Sequence, residues 1–125
     1  MEIRDNVLYT ETHEWVLKKD GTARIGVTDH AQETLTDVVF VELPDVGKEF
    51  KKGDVLATLE SVKSVAEVYS PLSGTIQSVN ERLHNEPGLI NSSPYDEGWL
   101  VEMRIQDEGE LKELLSPEAY AEKIE

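Results

Sequence analysis

The sequence predicts a mostly β fold with short helices, a small sandwich or barrel. Three observations carry that expectation. Short runs rich in valine, isoleucine, threonine and aromatic residues recur along the chain, separated by Gly, Pro, Asn and Asp. Asp20-Gly21 lies between two such runs, a strong signal for a tight hairpin. From Trp99 to Ile105, Trp99, Val101, Met103 and Ile105 alternate with Leu100, Glu102 and Arg104, the period of a half-buried strand.

Glu14 to Lys18 and Thr22 to Val27 are expected to be the two strands of the Asp20-Gly21 hairpin. Asp29-His30-Ala31-Gln32 has capping-box spacing and predicts a short helix that starts at Asp29 and runs to about Leu35. Val38-Val39-Phe40-Val41 is an apolar run of strand length closed by Pro44-Asp45-Val46-Gly47. Lys51-Lys52-Gly53-Asp54 reads as a turn into a strand over Val55 to Ser61, followed by a second strand over Val65 to Tyr69. Pro71 and Gly74 mark a turn, another strand ends near Val79, and Asn85-Glu86-Pro87-Gly88 reads as a loop. The tail turns helical at Glu110 to Leu115, and Ser116-Pro117 is an N-cap with proline at the first helical position. Tyr120 and Ile124 share a face of that last helix. No repeat of 20–50 residues is evident.

Composition excludes several classes. A formal charge of −14 over 125 residues argues against nucleic acid and fits steering toward basic patches on partner proteins. There is no cysteine, so neither disulfides nor thiolate metal sites are available. His13, His30 and His84 lack paired spacing, which argues against a metal site. The serines near Lys63 have no triad pattern, the glycines fall at turns, and Trp15 and Trp99 read as packing residues. The acidic tail from Asp107 to Glu125 reads as a solvated helical face. Met1 to Asp5 is neither basic nor apolar, and no stretch approaches membrane-spanning length. The expectation is a cytoplasmic monomer, or a mitochondrial-matrix protein if a transit peptide has been removed.

Lys63 stands between the two strands at Val55 to Ser61 and Val65 to Tyr69, which places its amine at a hairpin tip in solvent. A lone turn lysine usually does no more than solvate a loop. Here Glu60-Ser61-Val62-Lys63 is followed by Ser70-Pro71-Leu72-Ser73-Gly74, and this segment resembles the attachment site of lipoyl carrier domains. Four further blocks resemble the glycine cleavage H-protein family in the expected order. They are Thr12-His13-Glu14-Trp15-Val16, Ile25 to Gln32, Val38 to Pro44, and Gly88 to Tyr95 with Gly98-Trp99. The resemblance covers essentially the whole chain.

It implies one domain over 1–125. A lipoyl-domain barrel-sandwich hybrid occupies about 22–105, with an N-terminal β-hairpin, a short helix, and C-terminal helices over about 107–125. It also implies that Lys63 carries lipoic acid in amide linkage, with Glu60, Ser61, Val62 and Ser64 as the context an attaching enzyme recognises. Lysine and lipoyl chain together span about a dozen bonds; at roughly 1.2 Å each the arm reaches ~14 Å. In the family's cycle a pyridoxal-phosphate glycine decarboxylase loads an aminomethyl group on the arm. An aminomethyltransferase passes it on, and dihydrolipoamide dehydrogenase reoxidises the dithiol. The carrier itself catalyses nothing. In the family the loaded arm folds into a cleft beside the N-terminal region, where Glu14 would pair with its amine and His30 and Thr34 would stand nearby.

Four alternatives are weighed against this. A biotin carrier would set its lysine between methionines, whereas Val62 and Ser64 flank Lys63. A 2-oxoacid dehydrogenase lipoyl domain would be joined to a linker and catalytic domain. Lipoate relay during cofactor assembly would use the same arm. A nucleophilic Lys63 would need an unprotonated amine, which solvent does not favour.

Overall fold

The computed structural model describes residues 1–125. Two antiparallel sheets face each other. Strands β1 (Leu8–Tyr9), β2 (Glu14–Lys19), β3 (Thr22–Val27), β5 (Glu49–Phe50), β8 (Gly74–Val79) and β9 (Val101–Ile105) make the larger, in the order β1-β2-β3-β9-β8-β5. Strands β4 (Val38–Glu42), β6 (Val55–Ser61) and β7 (Val65–Tyr69) make the smaller, in the order β4-β6-β7. Their inner faces close over a continuous core that includes Ile25, Leu59, Leu72, Ile76 and Met103, all fully buried. The mostly β expectation holds, down to the hairpin, the short helix and the helical C-terminus.

Local chemistry explains where elements start and bend. The β2–β3 hairpin closes at Lys19 opposite Thr22, and Asp20, not Gly21, takes the left-handed conformation at φ 57°. In the Lys51–Asp54 turn Gly53 sits at φ 93°, a backbone shape that only glycine adopts without steric cost. Helix α1 (Asp29–Leu35) is capped by Thr28, whose hydroxyl accepts the Ala31 N–H at 3.3 Å. Asp29 is therefore the first helical residue and not the cap, and its carboxylate instead accepts from the Gln32 side chain at 2.7 Å.

The apolar run at Val38 forms strand β4 as expected, but only half of it is core: Val38 and Val41 are buried, while Val39 and Phe40 are 53% and 51% exposed. A β-bulge causes this, because Val38 pairs with Ser61 and Phe40 with Glu60, which leaves Val39 as an extra residue. The loop expected at Asn85–Gly88 is shorter, 86–88, because Asn85 ends a one-turn helix, α2 (Arg82–Asn85), and a second, α3 (Leu89–Ser92), follows; the two bury Leu83 and Ile90. The last strand starts at Val101, and Leu100 before it is fully buried against the expected alternation.

The tail is more than a solvated face. After a 3-10 helix (Glu108–Glu113) the chain pairs Leu115 with Tyr9, and Ser116 then caps α4 (Pro117–Ile124). Tyr120 of α4 is fully buried and stacks on Tyr9 with ring centroids 4.3 Å apart and planes 3° from parallel. Trp15, Val7 and Tyr95 complete this second, smaller core. No helix is long and apolar enough to cross a membrane.

Candidate functional site

Strands β6 and β7 pair from Val55–Tyr69 up to Glu60–Val65, and residues 61–64 close the hairpin. The tip is tied rather than loose. The Ser61 N–H donates to the Ser64 carbonyl at 2.8 Å, and the Val62 N–H donates to the Asp37 carbonyl at 3.0 Å. Ser61 Oγ accepts from the backbone N–H groups of Lys63 at 3.3 Å and Ser64 at 3.1 Å. Lys63 is exposed and bonds only through that backbone N–H. The result is a primary amine on a fixed stem, held clear of the protein.

Ser61 is thus the residue that sets the tip, through two hydrogen bonds at an exposed turn, where exchange with water leaves each worth no more than about 0.5–1.5 kcal/mol. Ser61→Ala is expected to leave the melting temperature near wild type. It should slow modification of Lys63 about fivefold, read as the rate of mass gain with an attaching enzyme. An unchanged rate would make Ser61 an ordinary turn residue.

An apolar skirt surrounds the stem. Phe40, Glu60 and Val65 lie in one cross-strand row on the outer face of the smaller sheet. With Val39, Val62 at 67% and Val65 at 63% exposure, this is the main concentration of exposed large apolar side chains. Glu60 stands exposed within it.

Beside the tip lies a cleft of about 310 Å³, with Ser64 and Glu67 of the hairpin in its lining. Val27, Leu35, Leu59 and Val68 give it an apolar wall, and Glu14, His30 and Thr34 all line it. The three residues that sequence reasoning grouped around a cleft are therefore brought together, next to the tip that bears Lys63. Other hollows lie elsewhere on the surface, among them two of about 330 and 300 Å³. In the first, Arg4 and Arg82 are already paired with Asp96 and Glu97.

Glu14 is the unusual member. Only 2% of it is exposed, yet it is acidic. Its Oε1 accepts from the hydroxyls of Thr10 and Thr12, each at 2.5 Å, and its Oε2 accepts the Tyr69 N–H at 3.1 Å. Burial pushes its carboxyl up from the ordinary glutamate value, and these donors only partly oppose that. It has no cationic partner within the protein. A buried carboxylate that is hydrogen-bonded but unpaired in charge is poised to take a cation from the cleft side. His30 contributes a stacked ring, and its Nδ1 is buried and bonded to nothing. Thr34 is exposed, with its hydroxyl donating back to the His30 carbonyl at 3.1 Å.

Sequence reasoning missed His13, Thr12 and Glu67, which line the same cleft. His13 and His30 stand far apart in sequence, but their rings stack at 4.3 Å. No spacing rule reveals a contact made between a loop and a helix.

The family model described as Glycine cleavage H-protein matches residues 7–125. The glycine cleavage system H protein of Thermotoga maritima is 60% identical over 114 residues, covering 91% of this chain and 92% of that protein. The glycine cleavage system H protein of Listeria monocytogenes is 49% identical over 124 residues, covering 99% and 98%. A crystal structure of a glycine cleavage system H protein from Mycobacterium marinum superposes with a TM-score of 0.91 at 36% identity, covering 98% of each chain. With its fold and nearly its whole length matched, the chain belongs to the glycine cleavage H-protein family.

Proposed function

We propose that Lys63 carries lipoic acid in amide linkage, and that the chain is the lipoyl carrier of the glycine cleavage system. The observation that carries this reading is the exposed Lys63 amine on a tied hairpin tip, next to a cleft with a buried, cation-free carboxylate. The residues fit the group. The amine is free for acylation, the apolar wall suits a hydrocarbon arm and dithiolane, and Glu14 suits an ammonium at the arm's end. When bound, the lipoyl dithiol supplies the sulfur on which the aminomethyl group of glycine travels.

The chain's own residues do the holding. Ser61 and the Val62–Asp37 bond fix where the arm starts, so less freedom is lost on docking. Glu60, Val62 and Ser64 surround the amine as recognition context for a lipoate-attaching enzyme. The apolar skirt of Val39, Phe40, Val62 and Val65 is the surface an enzyme covers as it takes in the arm. The receiving enzymes are a pyridoxal-phosphate glycine decarboxylase, an aminomethyltransferase and dihydrolipoamide dehydrogenase. Between them, Glu14, His30 and Thr34 shelter the loaded arm from water. The chain works as a single unit over 1–125 in the cytoplasm and is a carrier, not an enzyme. The shared name of the relatives favours this role over lipoate relay.

The test is intact mass with peptide mapping after coexpression with a lipoate-attaching enzyme. One lipoyl increment on Lys63 is expected. No increment, or a biotin increment, would overturn the carrier reading.

Glu14 gives a second prediction with a definite sign. Its proton affinity is higher folded than unfolded, so the native state binds more protons between the two values. Stability therefore falls as pH rises through that window, and the loss is complete above the folded value. Glu14→Gln keeps the acceptor for Tyr69 and lets the side-chain amide donate to the two threonine hydroxyls. It should melt higher than wild type near neutral pH, with the gap closing under acid. A loaded arm should meanwhile be lost severalfold faster. Higher stability with unchanged arm decay would remove Glu14 from the sheltering role.

A further inference from the structure

We propose that His13 is a positioning residue of the arm cleft, whose neutral ring keeps the cleft in its sheltering form and whose protonation releases that hold. The inference rests on the sheltering reading above.

His13 sits at φ 71°, in the left-handed region that a side chain normally avoids. Its backbone is fixed on both sides: the N–H donates to the Thr10 carbonyl at 3.3 Å, and its carbonyl accepts the Thr28 N–H at 3.0 Å. Glycine would meet that conformation without strain and asparagine tolerates it as histidine does, so the turn alone does not call for an imidazole. The ring is held from two helices. It stacks on His30 of α1 at 4.3 Å, with the planes 22° apart, and its Nδ1 lies 2.8 Å from the Tyr120 hydroxyl of α4. Both histidines line the cleft with Glu14.

The hydrogen-bond chain behind the ring favours its neutral form. Tyr120 Oη lies 2.8 Å from Thr28 Oγ1 as well, and Thr28 Oγ1 accepts the Ala31 N–H. With His13 neutral and its proton on Nε2, the Tyr120 hydroxyl donates to Nδ1 and the Thr28 hydroxyl donates to Tyr120. The Tyr120 and Thr28 hydroxyl hydrogens then both have acceptors. Protonated, His13 donates to Tyr120, which turns its own hydrogen toward Thr28. The Thr28 hydroxyl hydrogen is then left without an acceptor in a fully buried site.

Electrostatics add to this. The groups that face the His13 ring are His30 on α1 and Tyr120 and Lys123 on α4, with Glu14 on β2 and Glu67 on β7 lining the same cleft. Lys123 is itself paired with Glu11 at 3.7 Å. Burial pushes the His13 imidazolium down, and His30 and Lys123 act in the same direction. A charged His13 would also stand beside the ammonium of a loaded arm and repel it. Seating the arm and protonating His13 therefore oppose each other, and linkage makes the opposition reciprocal.

The test uses lipoylated protein in the dithiol form, loaded with formaldehyde and ammonium, which condense on a thiol with loss of water. Intact mass confirms loading. Decay is followed at about pH 7.5 and 5.5 for wild type, His13→Asn and Tyr120→Phe, with free dihydrolipoamide loaded in the same way as reference. His13→Asn tolerates the left-handed turn, and Tyr120→Phe keeps the Tyr9 stack, so both should fold. Wild type should protect the adduct at pH 7.5. His13→Asn should lose about tenfold of that protection at pH 7.5, and the difference should be smaller at pH 5.5, where a larger fraction of wild-type His13 is charged. Ring titration by nitrogen-15 NMR supplies a readout independent of the adduct. Loading should lower the proton affinity of His13 about three- to tenfold, and in the unlipoylated protein Tyr120→Phe should raise it. Wild-type protection in His13→Asn at both pH values, or a His13 titration unmoved by loading, would overturn the inference and leave the sheltering reading standing. A wild-type adduct that decays as fast as free loaded dihydrolipoamide would overturn both.

Discussion

Lys63→Arg should fold like the wild type and carry nothing. The side chain is exposed and makes no bond of its own, so replacing one cation with another should change stability by no more than about 0.5 kcal/mol. Charge, exposure and hairpin geometry all survive. What is lost is the acylable amine, because a guanidinium stays protonated and does not accept a lipoyl group. Coexpression with an attaching enzyme should give no mass increment, and glycine-dependent transfer with the partner enzymes should fall to background. The arginine variant should still compete with the unmodified wild-type protein for the attaching enzyme, because the skirt of Val39, Phe40, Val62 and Val65 is intact. A lipoyl increment on the variant would mean that another lysine is the attachment point, and the hairpin would lose its role.

The part of the site that sequence made legible is the part built from neighbours in the chain. Strands β6 and β7 are readable to the residue, because Val55 to Ser61 and Val65 to Tyr69 are rich in β-branched and apolar residues around a three-residue tip. The β2–β3 hairpin is readable for the same reason. Helix α1 is readable as a helix but not at its cap, since Thr28 and Asp29 are both good caps and adjacent. The choice falls to Thr28 because Tyr120, some 92 residues away, bonds the same hydroxyl. Helices α2 and α3 are four residues each, too short to show a 3.6-residue period. Val39 and Phe40 look like core until the bulge turns them outward. The cleft is legible only through family resemblance for Glu14, His30 and Thr34. His13 escapes even that, because its significance lies in a stack and a hydrogen bond that only the folded chain creates.

Gly74→Ala should cost far more stability than Gly26→Ala, although both add one methyl to a crowded strand glycine. Gly74 opens β8 between two partners, opposite Phe50 on β5 and Ile105 on β9. A Cβ there would lie 2.2 Å from the Arg104 carbonyl oxygen, 2.6 Å from Met103 Cγ and 2.9 Å from Met103 Sδ. Met103 is flexible but fully buried, so it has little room to withdraw. The carbonyl is backbone and belongs to β9, whose neighbours are β3 on one side and β8 on the other. Relief would require β8 and β9 to separate at their end, which breaks ladder bonds and opens the core beside Met103. Gly26 makes a useful comparison. A Cβ there would meet the Trp15 ring at 2.6 Å, a side chain held by its N–H bond to the Pro94 carbonyl at 3.0 Å. An indole can tilt at the cost of that bond, whereas a strand cannot shift alone. Overpacking of a well-filled core usually costs about 1–3 kcal/mol, and a backbone clash belongs at or above the top of that range. Against a total stability of about 5–15 kcal/mol, the Gly74→Ala midpoint in urea should fall well below that of Gly26→Ala, with Lys63 lipoylation still normal in whatever fraction stays folded. Equal midpoints for the two variants would show that the β8–β9 end yields more easily than its geometry implies.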